Sequence, residues 1–258
     1  MVTAPTITGA DHYGPIVVPD DDGANVFWYT TSKTGTKLCV GNKLYYGTSK
    51  ISETKSSPSC SDNVQLAQNN FHALHIDSGI FDFQLFDSSH HFNNAPKDDI
   101  KFVVASDIHQ NAKYANKILN NSGADFIISC GDMTTDGSRV QLYNTFKNFN
   151  AKSFSQALGN HEAHPEHDIF QKSHRNYYQM MNGLHFFFLH IYDDKTALPS
   201  EQEATKAIDW LETQVEYYSG PKFIVMHHPM YSTGEHGPFR FFTDKLILLI
   251  ERHPEAQL

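Results

Sequence analysis

Ile100-Lys101-Phe102-Val103-Val104-Ala105-Ser106-Asp107-Ile108-His109 is the stretch from which the fold can be read. Its first six residues are mostly apolar and read as a strand. A carboxylate and an imidazole follow at once, where that strand would end. The same construction recurs downstream. Residues 125–130 lead into Gly131-Asp132, residues 154–158 into Gly159-Asn160-His161-Glu162, and residues 222–226 into His227-His228-Pro229.

Helical periodicity fills the intervals. Ala112, Ala115, Ile118 and Leu119 mark one helix face, and Leu142, Phe146 and Phe149 mark another. Residues 184–190 read as an aromatic strand. Ser200-Glu201-Gln202-Glu203 has the form of a capping box, in which the Ser and Glu side chains each satisfy a free backbone N–H. It opens a helix with Ala204, Ile208, Leu211, Val215 and Tyr218 on one face, and residues 242–252 form the last helix. Alternating strands and helices imply an α/β core, where ligands gather at the carboxyl ends of strands. All four polar clusters fall at that edge.

Upstream of residue 90 the composition changes. Residues 11–87 are rich in Thr, Ser, Gly, Asn and aromatics, with no helical period. Strands are expected at 26–31, 37–40, 43–46, 71–76 and 80–86, separated by turns such as Gly41-Asn42 and Ser78-Gly79. The alternation Phe81-x-Phe83-x-Leu85 marks a half-buried strand. Residues 50–66 read as a long polar loop, and residues 88–99, polar and containing Pro96, as a linker. Short strands with frequent turns suggest an antiparallel sandwich.

The chain has 258 residues, 40% hydrophobic and 19% charged, which suits one large or two modest globular domains. Its formal net charge is −9 and no Lys/Arg run exceeds two residues, which argues against stable binding of nucleic acid backbones. Bound metals could still supply the local positive charge that a phosphate needs. No run is long enough to span a membrane. The first five residues show neither the basic nor the apolar region of a signal peptide. Cys39 and Cys60 leave two readings open, a disulfide or two thiols, while Cys130 at the end of an apolar strand reads as a small buried hydrophobe.

Taken singly, each cluster has a plain structural reading: Asp107 as a helix cap, Gly131-Asp132 as a turn, His227-His228 as exposed imidazoles. Their order decides otherwise. Carboxylates, imidazoles and an amide at the ends of four separate strands make a mixed O/N cage for two divalent metals, and so point to hydrolytic metal chemistry.

These residues resemble the calcineurin-like metallophosphoesterase superfamily, in its purple-acid-phosphatase-like branch. The resemblance covers residues 100–258 and four of five family motifs. It implies a binuclear centre of two divalent or trivalent ions (Fe, Zn or Mn), with Asp107 and His109 on the first, Asp132 bridging, and Asn160 and His227 on the second. His161 is implied to face the substrate, where it would stabilise the phosphoryl group or protonate the leaving oxygen. His236 resembles a second substrate-facing histidine. Glu162 either orients His161 or is a solvated loop carboxylate. His228 is expected to support or pack rather than ligate, and His164, His167 and His174 are given no role.

Two departures stand out. Thr135 occupies the place of the tyrosine whose phenolate binds ferric iron, so a colourless site is expected. The last family motif, Gly-His-x-His, is absent, and residues 242–258 read as the helix and the start of the strand before it.

The fold implied is an α/β (α+β) metallophosphoesterase sandwich, two β-sheets flanked by helices, preceded by a small all-β fibronectin-III-like domain. The expected boundaries are 1–90 for the β-domain with Trp28 in its core, 91–99 for a linker and 100–258 for the metallophosphoesterase domain, C-terminally incomplete. The implied activity is phosphomonoester hydrolysis, with metal-bound hydroxide as the nucleophile. The alternatives are a phosphodiesterase or nucleotide hydrolase, or an inactive truncated fragment. The expected partner is a small phosphoester, with no stable nucleic acid or membrane binding, in an extracytoplasmic or secreted setting. Oligomeric state is left open by the sequence.

Overall fold

Three β-sheets and two helices organise the computed structural model, which describes residues 12–20, 22–30, 38–47, 54–62, 70–85, 88–109, 111, 117, 123–135, 141, 145, 153–162, 175–234 and 237–257. In chain order the strands are β1 (His12–Asp20), β2 (Gly23–Thr30), β3 (Leu38–Val40), β4 (Lys43–Gly47), β5 (Thr54–Ser57), β6 (Asn70–Ile76), β7 (Ile80–Leu85), β8 (Ser88–Asn93), β9 (Phe102–Ala105), β10 (Phe126–Ser129), β11 (Ser153–Gln156), β12 (Tyr177–Met181), β13 (Leu184–Phe188), β14 (Lys222–Val225) and β15 (Ala256–Gln257). Among the described residues the α-helices bounded at both ends are α1 (Glu201–Tyr217) and α2 (Arg240–Arg252), and a 3-10 turn spans Asn160–Glu162. The helices expected around 112–119 and 142–149 lie outside the described residues, apart from single helical positions such as Lys117 and Thr145.

The first sheet has six strands in the order β6-β2-β1-β11-β10-β9. Strands β9, β10 and β11 are parallel, and β1 joins them in parallel with Val17 opposite Ser153. Strands β2 and β6 continue the sheet antiparallel. Side chains alternate across it as a pleat demands. Ile16, Val18, Phe27, Ile127 and Phe154 bury on one face. On the other, Val17, Val26 and Trp28 meet Leu38, Phe83, Leu85 and Phe92 of the five-stranded antiparallel sheet β5-β4-β3-β7-β8. Further along that same face, Phe126 and Ile128 meet Phe186, Phe188 and Val225 of the four-stranded sheet β12-β13-β14-β15.

The outer face of the four-stranded sheet is covered by α1 and α2. Ala204, Ala207, Ile208, Leu211 and Val215 of α1 and Phe242, Leu246 and Leu249 of α2 pack on Phe187, Leu189 and Ile224. The stripe recurs every three or four residues, which gives each helix one apolar side. Ser200 caps α1 through the Glu203 backbone N–H as expected, but the Glu203 carboxylate turns to Lys206 at 2.7 Å.

The strand pairing revises the division expected at residue 90. An independent fibronectin-III-like sandwich would keep its strands to itself. Here β1, β2 and β6 belong to the sheet that carries β9, β10 and β11, and both sides of the supposed boundary share one hydrophobic cluster. Strand β1 escaped sequence reading because Pro15 and Pro19 punctuate it. A register irregularity between Tyr13 and Ile16 accommodates the first proline. The expected linker is also different: residues 88–93 form β8, and the segment after it is pinned to the β12–β13 turn. There Asn182 donates to the Ala95 carbonyl at 2.8 Å and Asn94 to the Met180 carbonyl at 2.9 Å. The expected polar loop 50–66 contains β5, which pairs with β4.

Of the two readings for the N-terminal cysteines, the structure forms the disulfide. Cys39 and Cys60 join β3 to the turn after β5, with Cα atoms 5.9 Å apart. A crosslink that closes a loop of 21 residues contributes about 3 kcal/mol by restricting the unfolded chain.

Candidate metal centre

Four strand ends converge. Strand β9 delivers Asp107 and His109, β10 delivers Asp132, β11 delivers Asn160 and His161, and β14 delivers His227. These six residues line one cleft of about 490 Å³. The strand ladders extend into the loops and set their spacing. Cys130 N–H donates to the Ala105 carbonyl at 2.8 Å, Asp107 N–H to the Gly131 carbonyl at 3.0 Å, and His109 N–H to the Asp132 carbonyl at 3.1 Å. Asp107, His109 and Asp132 all hold positive φ, at 54°, 46° and 52°. Non-glycine residues rarely adopt this conformation, and it concentrates at functional sites.

Two glycines let the loops touch. A Cβ on Gly159 would lie 2.0 Å from Asp132 Oδ1, and one on Gly131 would lie 2.6 Å from the Gly159 nitrogen. Either would drive the β10 and β11 loops apart and move the central carboxylate.

Asp132 is the focus. Only 3% of it is exposed, and its Oδ1 accepts the His161 backbone N–H at 3.1 Å. Its Oδ2 faces the cleft, where three imidazole Nε2 atoms surround it: His227 at 3.2 Å, His109 at 3.8 Å and His161 at 3.8 Å. Burial opposes ionisation of Asp132, but His227 and His161 together outweigh it and hold the pKa below the ordinary carboxylate value. Burial likewise opposes charge on His227, and Asp132 more than reverses it, raising that pKa.

His227 donates from Nδ1 to the Cys130 carbonyl at 2.9 Å, which directs Nε2 toward two acceptors, Asp132 Oδ2 and Asn160 Oδ1, each at 3.2 Å. Three electron-rich atoms so close together require a cation between them, a proton or a metal ion. His161 repeats the pattern, with Nδ1 at the Thr135 carbonyl and Nε2 toward Asp132.

The donor set fits metal ions. Donor atoms of Asp107, Asp132 and His227 lie within 4.8 Å of one another, as do those of His109, Asp132 and His161, and the two groups share Asp132. Oxygen and imidazole nitrogen in this mixture suit zinc, iron or manganese. All five expected ligands are therefore brought together. His161 stands beside them, its ring 4.8 Å from that of His109. His236 lies outside the described residues, as do His164, His167 and His174. His228 is buried at the cleft's edge, with Nδ1 3.3 Å from the Tyr192 hydroxyl.

Glu162 is the residue that sequence reading underrated. It is fully buried rather than solvated. Its carboxylate accepts from the backbone N–H groups of Asp132 at 2.7 Å, Thr134 at 3.0 Å and Gly159 at 3.1 Å, and from the Thr134 hydroxyl at 3.0 Å. It locks the β10 loop to the β11 loop and so fixes Asp132. Burial pushes its pKa up, against the N–H bonds that favour the carboxylate. The sequence signal was adjacency alone: a carboxylate beside His161, with nothing to show that it turns inward.

Residues 100–249 match the family model of the calcineurin-like phosphoesterases, and the chain belongs to that family. A search of curated proteins finds no match. A solved structure described as "GAP50 the anchor in the inner membrane complex of Plasmodium" is similar at 15% identity and a TM-score of 0.43, over 60% of this chain and 63% of that one. The chain thus spans less than two thirds of that structure's length.

Proposed function

We propose that this protein hydrolyses small phosphomonoesters at a binuclear metal centre. Family membership supports a metal-dependent phosphoester hydrolase. The observation that carries the finer reading is the convergence of three imidazoles on one oxygen of Asp132. Asp107 and His109 would hold one metal, Asn160 and His227 the other, with Asp132 between them. Bound there, the metals lower the pKa of water to about 7 and neutralise charge on the phosphoryl oxygens.

The rest is the work of the chain. Glu162 keeps Asp132 from swinging, and the Cys130 carbonyl keeps the His227 ring in one tautomer. The His161 ring stands beside His109 at the cleft, where it would meet a phosphoryl oxygen or the leaving oxygen. Thr135, in place of a phenolate-bearing tyrosine, is exposed and uses its carbonyl on His161, which favours a colourless pair of ions. The Cys39–Cys60 disulfide supports an oxidising, extracytoplasmic setting. Among the described residues, no helix is long and apolar enough to cross a membrane.

The test is turnover of an aryl phosphate by the full chain with added zinc or manganese. Asp132→Ala is expected to cut kcat/KM by more than about 100-fold, beyond the 10–100-fold typical of residues that merely support a ligand. Equal turnover by the variant would remove the reading.

A further inference from the structure

The metal-binding wall of the cleft is only half of its lining. The lining also includes an apolar ledge, Ala197-Leu198-Pro199, that borders the same space as Asp107 and Asp132. Leu198 is 63% exposed there. A single exposed leucine is ordinary on a protein surface. This one is held out by a loop with little freedom to withdraw it.

The Asp193 side chain accepts from Lys195 N–H at 3.0 Å, Thr196 N–H at 2.9 Å and the Thr196 hydroxyl at 3.0 Å. Backbone bonds close the loop twice, from Ala197 N–H to the Asp193 carbonyl at 2.8 Å and from Asp193 N–H to the Leu198 carbonyl at 2.9 Å. Tyr192 and Pro199 form a β-bridge at its base, and Ser200 beyond it caps α1. Ala197 holds a φ of 54°, a conformation that alanine avoids. Backbone strain of this kind persists only where surrounding structure imposes it, and it collects at functional sites.

We infer that this ledge binds the leaving group of the ester, and that the preferred substrates carry an apolar or aromatic one. The inference rests on the hydrolase reading of the cleft and names its substrate class. The phosphoryl group is met by the donors around Asp132, and the organic part lies on Leu198, where contact removes apolar surface from water on both sides. Leu198 is thus a specificity-determining residue.

The experiment compares phenylphosphonate with methylphosphonate, two non-hydrolysable probes, by calorimetry on the manganese-loaded full chain. The wild type is expected to bind the phenyl compound about tenfold more tightly, equivalent to about 1.4 kcal/mol. Leu198→Asp should bring that ratio close to one. Leu198→Ala, a milder change at an exposed position, should lower it about threefold, equivalent to about 0.7 kcal/mol. A wild-type ratio near one, a ratio unmoved by either variant, or no binding of either phosphonate would overturn the inference. Turnover of phenyl phosphate, measured alongside, separates the two claims. A ledge-dependent ratio without turnover keeps the ledge and removes the hydrolase. Turnover with a ratio indifferent to Leu198 does the reverse.

Discussion

Strands β9, β10 and β11 and strands β1, β2 and β6 share one sheet but use their ends differently. The first three are parallel, so their carboxyl ends meet at one edge and bring Asp107, His109, Asp132, Asn160 and His161 together. Strands β1 and β6 run the same way and end at the same edge, while β2 runs against them. None of their residues lines the cleft among the described residues. Direction alone therefore does not decide which half of the sheet gathers ligands: an Asp, His or Asn must also follow the strand, as after β9, β10 and β11. The half made of β1, β2 and β6 contributes apolar surface instead. Ile16, Val18 and Phe27 complete a cluster with Ile127 and Phe154, directly behind the strands that carry the site.

The largest effect that could break this comparison is removal of the first 93 residues. That would strip β1 from β11 and uncover Ile127 and Phe154. The remainder is expected to lose its cooperative thermal transition, as followed by circular dichroism. A shortened chain that melts cooperatively and binds metal like the full one would make the two halves independent.

A smaller effect tests what holds the ligand edge in register. Glu162→Ala leaves the N–H groups of Asp132, Thr134 and Gly159 without their acceptor in a buried place. Stability should fall by about 3 kcal/mol or more, at the 1–3 kcal/mol typical of each stranded donor. Metal affinity should fall about 10–100-fold, as for other residues that orient a ligand. Denaturant titration and metal titration of the variant measure both. A change confined to stability would detach Glu162 from the site.

The smallest effect is acid sensitivity at a histidine just after β13. His190 is buried, and Arg175 approaches its Nε2 at 2.8 Å. Burial first, and the Arg175 charge second, lower its pKa from 6.5 to about 4. The unfolded chain therefore takes up a proton at a pH where the folded chain does not. Stability from this group is complete above about pH 6.5 and declines as the pH falls toward 4, by up to about 3 kcal/mol. His72, with a pKa lowered to about 4 by burial, adds a decline in the same window. His190→Gln, which keeps an acceptor for Arg175, should flatten part of the slope seen in denaturant titrations between pH 6.5 and 4. An unchanged slope would exclude His190 as its source.

The same contrast governs what the sequence could reveal. The ligand edge was legible because each motif is local: an apolar run followed at once by Asp, His or Asn needs no knowledge of its neighbours. Glu162 was not, because its four hydrogen bonds come from residues up to 30 positions away. Individual strands of the N-terminal region were legible from alternation, as at Phe81, Phe83 and Leu85, which are buried in β7. Their partners were not. Nothing in His12–Asp20 states that it will lie beside Ser153, and its prolines argued against a strand at all. Strands β5 and β8, both rich in serine, lacked the apolar alternation that would have announced them.

The proposal that Asp132 would serve two metal ions is tested most directly by counting them. Manganese or zinc titrated into the full chain by calorimetry, with elemental analysis after gel filtration, should give two equivalents per chain. Asp132→Asn should lose both without losing the fold. Stoichiometric binding that survives Asp132→Asn, or no binding by well-folded wild type, would contradict the account.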